Sequence, residues 1–229
     1  MTITTEASMR SYCQTLDAMA RRMRDNGWFQ LMSPKFLTTV PRLIASGINK
    51  GDALEIGPGS GYLGLEWLKC TSNTSLLGLD ISADMVGIAK RNAAEYKVTE
   101  RAWYLLGDAC NLPFRDSQFD CVFSNASLHE WVNPRQVMNE IARVLKPGGS
   151  YYITDLRRDM SSLWKWVVWF MAWPREVRPY FIASVNDSYT VMEVKDILRD
   201  TQLRKSVVSK IWYGLTIMGQ KNIARAWGY

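Results

Sequence analysis

Two hydrophobic periods alternate along the chain. Short apolar runs, each closing on Gly, Asp or Asn, are followed by segments whose apolar residues recur every three or four positions. Ala53–Ile56, Ser75–Leu79, Trp103–Leu106, Phe119–Ser124 and Tyr151–Thr154 read as strands that end at Gly57, Asp80, Gly107-Asp108, Asn125 and Asp155. Tyr62–Lys69 reads as a helix. Ser82 is a suitable N-cap for a second one with inner face Met85, Ile88, Ala89 and Ala93, and a third runs from Arg135 to Leu145 and stops at Lys146-Pro147-Gly148-Gly149. This alternation predicts an α/β fold with a mostly parallel sheet covered on both faces.

The two ends of the chain read differently. Met9, Cys13, Leu16, Met19, Ala20 and Met23 make one apolar face of a helix over residues 6–24, and a second helix is expected from Pro34 to Gly47. Together they predict a helical N-terminal cap over residues 1–50. Beyond Asp155 the rhythm breaks into an aromatic, Arg-containing insertion over 157–188. A helix from Val191 to Leu203 and one or two closing strands from Val207 to Met218 follow. With no linker in view, residues 1–229 are expected to form a single domain.

Composition excludes more than it selects. Hydrophobic residues make up 47% and charged residues 22%, a globular balance. The formal net charge of +6 comes from scattered Lys and Arg, so it does not by itself point to nucleic acid. Cys13, Cys70, Cys110 and Cys121 lack Cys-x-x-Cys spacing and the chain has a single histidine, so no metal site is expected and the thiols read as reduced and mostly buried. No apolar run approaches the roughly 18 residues needed to cross a bilayer, and the start shows no apolar leader; a cytoplasmic location is expected.

The chemistry centres on Leu54-Glu55-Ile56-Gly57-Pro58-Gly59-Ser60-Gly61, a strand running into a loop with glycine at every second position. Such a loop lets backbone approach a ligand closely, because glycine reaches φ > 0 freely and has no Cβ. Ligands of parallel sheets bind beyond the carboxyl ends of the strands, and Asp80, at the end of the next strand, can accept from both hydroxyls of a ribose. The Gly-x-Gly-x-Gly spacing and the acid at Glu55 argue against a pyrophosphate and for a cationic cofactor.

In these motifs the chain resembles the class I S-adenosylmethionine-dependent methyltransferases, the small-molecule branch that includes the menaquinone and ubiquinone methyltransferases. The likeness runs from about Asp52 to Asp155. It implies a Rossmann-like, doubly wound, mostly parallel seven-stranded sheet and S-adenosyl-L-methionine as cofactor. Glu55, Gly57, Pro58, Gly59 and Gly61 would cradle its methionine part. Asp80 would hold the ribose, with Ile81 packing on adenine and Met85 nearby. Gly107-Asp108-Ala109, followed by Leu112-Pro113-Phe114, resembles the segment whose acid meets the adenine amino group, and Asn125 ends the matching fourth strand.

The acceptor side is less determined. His129 follows the fourth strand in Ser127-Leu128-His129-Glu130-Trp131, where the resembling family often faces its acceptor; it is the candidate general base, against a structural histidine at a loop junction. Trp131 and Trp164 are candidate substrate contacts. Leu163–Trp173 carries four tryptophans with arginines on both sides, and is expected to act as a lid on the acceptor. The competing readings are a contact with an anionic membrane surface, and a structural helix packed on the N-terminal cap or in a homodimer contact. The expected function is methyl transfer to a small apolar or aromatic molecule. RNA or protein methylation is the enzymatic rival, although the fourth strand ends in Ser124-Asn125-Ala126-Ser127 rather than a Pro-Pro-aromatic clamp. A catalytically silent cofactor-binding subunit is the other rival.

Overall fold

The computed structural model describes residues 14–15, 17–18, 21, 34–171, 178–212 and 214–222. In chain order the elements are α1 (Pro34–Ala45), β1 (Gly51–Ile56), α2 (Tyr62–Lys69), β2 (Thr74–Asp80), α3 (Ala83–Glu95), β3 (Ala102–Leu106), β4 (Phe119–Asn125), α4 (Pro134–Val144), β5 (Leu145–Leu156), α5 (Ser162–Met171), α6 (Arg178–Asp187), α7 (Val191–Arg199), β6 (Val207–Ile211) and β7 (Gly214–Gln220). Single 3-10 turns stand at Ala109–Asn111 and Leu128–Glu130.

The seven strands form one sheet in the order β3-β2-β1-β4-β5-β7-β6. All neighbours are parallel except β7, which runs antiparallel to both β5 and β6. Sequential strands leave β1 on both sides, β2 and β3 one way and β4 and β5 the other. The crevice at their carboxyl ends is the topological switch point where a ligand of such a sheet binds.

Each face of the sheet has its own core. Leu54, Ile56, Val122 and Ile153 pack with Val137, Met138 and Ile141 of α4 and Val194 and Leu198 of α7. Ala53, Leu76, Tyr104 and Phe123 pack on the other face with Leu63 and Trp67 of α2, Val86 and Ala89 of α3, and Val40 and Leu43 of α1. Each buried Leu or Ile contributes about 1.5–3 kcal/mol relative to exposure, so these layers hold the strand ends in place.

The helix signals act locally as expected. The Ser82 hydroxyl accepts from Met85 N at 3.3 Å, Asn133 caps α4, and Thr190 with Glu193 forms a capping box on α7. Three expectations are corrected. The expected turn at Lys146–Gly149 is the bulged start of β5: pairing shifts from Phe119↔Leu145 to Cys121↔Ser150 so that the extra residues fit. The expected helix 191–203 ends at Arg199 in a turn. Cys70 is exposed, while Cys121 is buried and Cys110 intermediate. The expected 6–24 helix falls largely outside the described residues, as does Cys13; of the second, α1 ends at Ala45 because Ser46 and the left-handed Gly47 turn the chain. Among the described residues no helix is long and apolar enough to cross a membrane.

Candidate functional site

The glycine loop leaves β1 with Gly57, Gly59 and Gly61 all at positive φ, 63°, 55° and 81°. Their reasons differ. A Cβ on Gly57 would sit 2.6 Å from the Ser127 Cβ, and one on Gly61 would sit 2.8 Å from the Tyr104 hydroxyl, so both allow close approach of neighbouring chain. A Cβ on Gly59 would meet nothing within 4 Å, which leaves its backbone open to the crevice.

The loop is tied down from three directions. Asp80 accepts from Gly59 N at 2.9 Å with one carboxylate oxygen and from Ser82 N at 2.9 Å with the other, linking the loop to the end of β2. Ser127 donates to Ile56 O at 3.3 Å, meets Ser124 Oγ at 2.7 Å, and accepts from the Trp131 indole at 3.1 Å. From α3, the fully buried Asn92 donates to Ser60 O at 2.9 Å and to Asp17 at 3.1 Å, while Arg21 donates to its Oδ1 at 2.6 Å. The N-terminal segment therefore reaches the loop through one amide.

Glu55 is 2% exposed and lies under the loop against Gly64 in the first turn of α2. Burial first, then the neighbouring Asp80, push its carboxyl well above the ordinary carboxylate range, and the Gly64 N–H offsets only part of this. Its Oε2 has no hydrogen-bond partner among the described residues, and neither does the buried hydroxyl of Tyr104 close by. A buried carboxyl with one oxygen unpartnered, beside an open backbone, suits a cationic ligand in the crevice.

On the far side of the loop, the 3-10 turn after β4 holds His129 against the end of β5. Its Nδ1 is 3.0 Å from both carboxylate oxygens of Asp155, and its backbone N–H donates to Asp155 Oδ2 at 2.8 Å. The side chains are 6% and 2% exposed. Placed beside a carboxylate, Nδ1 carries the proton, so Nε2 is the basic nitrogen of the neutral ring. Glu130 Oε1 lies 4.0 Å from Nε2. Lost hydration raises the Glu130 carboxyl, His129 opposes this, and Asp80 and Asp155 add to it, so three acids act together on this side of the crevice.

The remaining sequence candidates divide clearly. Ile81 is 71% exposed at the end of β2 and offers an apolar surface to a ligand, whereas Met85 is buried with Ile88. Asp108 caps the 3-10 turn by accepting from Cys110 N at 2.8 Å, and Ala109 packs on the core. Asn125 ends β4, and Ala126 after it is held at φ 57°, a left-handed strain in a non-glycine residue at the crevice. Trp131 is 9% exposed, packs in the core and donates its indole N–H to Ser127. The Trp164 ring pairs with Trp212 at the β6–β7 turn, 4.7 Å between centroids. Asp155 is among the strand-end residues the sequence offers, without a role assigned to it; Ser127, Tyr104 and Asn92 carry no local signal that marks them for the site.

With this geometry in place, comparison with known proteins is informative. Residues 54–153 match the model of a methyltransferase domain family. A demethylmenaquinone methyltransferase of Lactiplantibacillus plantarum is 33% identical over 95 residues, 40% of each chain. A 2-phytyl-1,4-naphthoquinone methyltransferase of Synechocystis is 34% identical over 121 residues, 52% of this chain and 50% of the relative. The chain thus spans about half, or less, of the length of these relatives. Among solved structures, a proposed S-adenosylmethionine-dependent methyltransferase of Methanococcus maripaludis covers 95% of both chains at TM-score 0.74 and 23% identity, which speaks for the fold.

Proposed function

We propose that the chain, whose residues 54–153 match a methyltransferase domain family, is a class I S-adenosylmethionine-dependent methyltransferase that moves a methyl group to a small, apolar or aromatic acceptor whose reacting oxygen or carbon must first lose a proton. The observation that carries this is the His129–Asp155 pair, 3.0 Å apart at the ligand end of the sheet. A thiolate or free amine acceptor would have little use for such a base.

The cofactor, when bound, supplies an electrophilic methyl on a sulfonium whose leaving group is a neutral thioether. The residues present fit it: an open Gly59 backbone, an exposed Ile81 and the unpartnered Oε2 of Glu55. Gly57–Gly61 and Glu55 hold the methionine end, Asp80 the ribose, Ile81 and Asp108 the base. His129 Nε2 takes the acceptor proton, and Asp155 keeps the ring oriented and stabilises the imidazolium that forms. The main remaining task is to align acceptor and methyl and to exclude water, since positioning alone lowers such barriers by several kcal/mol. The 157–188 insertion serves there as a lid on a single domain.

The quinone-directed names of the relatives make a reduced naphthoquinone the first acceptor to try. The test uses 1,4-naphthohydroquinone and labelled cofactor, with calorimetry for cofactor affinity. His129→Gln and Asp155→Asn are expected to keep cofactor affinity while turnover falls about 10²–10⁴-fold for the first. Unchanged turnover in His129→Gln would refute the base, and absence of cofactor binding would refute the whole reading.

A further inference from the structure

The insertion has an inner and an outer side. On the inner side Val185 and Phe181 of α6 pack with Leu156 and Met160, and α6 rests on the 3-10 turn that carries His129. α5 packs on α6 and keeps an apolar stripe in water: Leu163, Trp166 and Phe170, three and four positions apart, are each more than half exposed. Ile182 of α6 extends the stripe across the groove it shares with Trp166. Trp166 stacks on Phe170 at 5.5 Å between centroids. A contiguous exposed apolar face of this kind marks a contact with something outside the chain.

The charges around the stripe say what kind of contact. Lys165 lines the groove beside Trp166, and Arg178 lies 4.3 Å over the Trp169 ring and donates to Phe170 O at 3.2 Å, so two cations border the stripe. Ahead of α5, Arg157 and Lys210 both pair with Asp159, at 2.8 and 3.4 Å, and that cluster keeps one positive charge; Arg158 is matched by Glu193. Residues 160–171 and 178–186 contain no acid, and Asp187 stands only at the last residue of α6. A second copy packed on this face about a two-fold axis would bring the same cations together with no acid to meet them. An anionic lipid surface meets both features, since tryptophan favours the headgroup region and basic side chains are drawn to anionic headgroups. With ten residues α5 is about 15 Å long, half the hydrocarbon thickness, so it lies along such a surface rather than across it.

We propose that the outer face of α5, with Ile182 of α6, docks the protein on an anionic lipid bilayer: Leu163, Trp166 and Phe170 enter the interface, and Lys165 and Arg178 meet the headgroup phosphates. The inner side of the insertion stays packed over the ligand end of the sheet, so docking turns that end towards the bilayer. The docking face is independent of the methyl acceptor and of turnover.

Co-sedimentation with vesicles tests it. The protein is mixed with vesicles of phosphatidylcholine, with or without about 30 mol% phosphatidylglycerol, at low and high salt. Wild type is expected to bind the anionic vesicles, to bind the neutral ones at least about tenfold more weakly, and to be released from the anionic ones as salt rises. Lys165→Gln is expected to weaken anionic binding about fivefold, the effect of one cation at such a surface, and to leave neutral binding unchanged. The double variant Leu163→Ser with Phe170→Ser, at two exposed positions, is expected to weaken both at least about tenfold at an unchanged melting temperature. Failure of wild type to bind anionic vesicles at low salt overturns the docking face, and so does binding that survives the double variant. Dimerisation of wild type that the double variant abolishes, with no vesicle binding, assigns the face to a second copy and overturns it as well. If the double variant does not fold, Lys165→Gln decides alone, and anionic binding that it leaves unchanged overturns the proposal.

Discussion

Glu55→Gln isolates the charge that the fold places under the glycine loop. The side chain is 2% exposed, its Oε2 is unpartnered among the described residues, and burial and Asp80 raise its carboxyl well above its ordinary value. An unfolded glutamate titrates near 4.3. Between that pH and the higher folded value the native state holds a proton that the unfolded state has lost. Stability from this site is therefore complete below about pH 4.3 and declines as pH rises toward the folded value. Glutamine keeps an acceptor for Gly64 and carries no charge, so the decline should vanish. Each unit by which the folded carboxyl lies above the unfolded value amounts to about 1.4 kcal/mol lost once pH has passed both, or roughly 2–5 °C in melting temperature for a chain of this size. The assay is thermal unfolding of both proteins from pH 4.5 to 8.5, with and without S-adenosylmethionine. Glu55→Gln should gain on wild type as pH rises, and the cofactor should close the gap, because its ammonium offsets the charge that glutamine lacks. A gap that is flat in pH, or of opposite sign at pH 8.5, would refute the account of Glu55.

Other perturbations address separate parts of the site. Asn92→Ala removes the donor to Ser60 O and the acceptor for Arg21, and should cost about 2 kcal/mol and raise the cofactor KM more than it lowers kcat, measured by melting and steady-state kinetics. Gly57→Ala should unfold the protein more readily than Gly59→Ala: the first meets Ser127 at 2.6 Å, whereas the second pays only for a left-handed alanine, about 1–2 kcal/mol. Asp155→Asn removes the carboxylate that orients His129 and should lower kcat and displace its acid limb in a pH–rate profile, while leaving cofactor affinity intact. Glu140 accepts from Arg143 at 2.7 Å, and this bond holds its carboxyl below the ordinary range. Its contribution is complete above about pH 4.3 and is lost as pH falls through the lower folded value, so Glu140→Gln should lower the melting temperature at pH 7 and converge on wild type near pH 2.

Much of the molecule was legible in one dimension because its signals are local. Apolar runs of strand length, Ser82 as a cap and the Gly57–Gly61 spacing each act within a few residues, and the alternation of periods predicts the parallel sheet from Gly51 to Asp155. The groups at the strand ends then share one edge of the sheet simply because parallel strands all point the same way. Where the reading failed, a distant partner decided. The Lys146–Gly149 turn becomes strand because β4 leaves room for a bulge beside Phe119.

The sequence by itself determined the fold class and the glycine loop, since both depend on backbone freedom and on hydrophobic period. Tertiary structure alone decided that His129 meets Asp155 across 26 positions, that Asn92 ties the N-terminal segment to Ser60, and that Glu55 is buried with a charge it cannot easily bear. The physical reason is the same in each case. Desolvation and hydrogen bonding between strand ends depend on which residues share a few ångströms of space, and no local pattern of side chains records that.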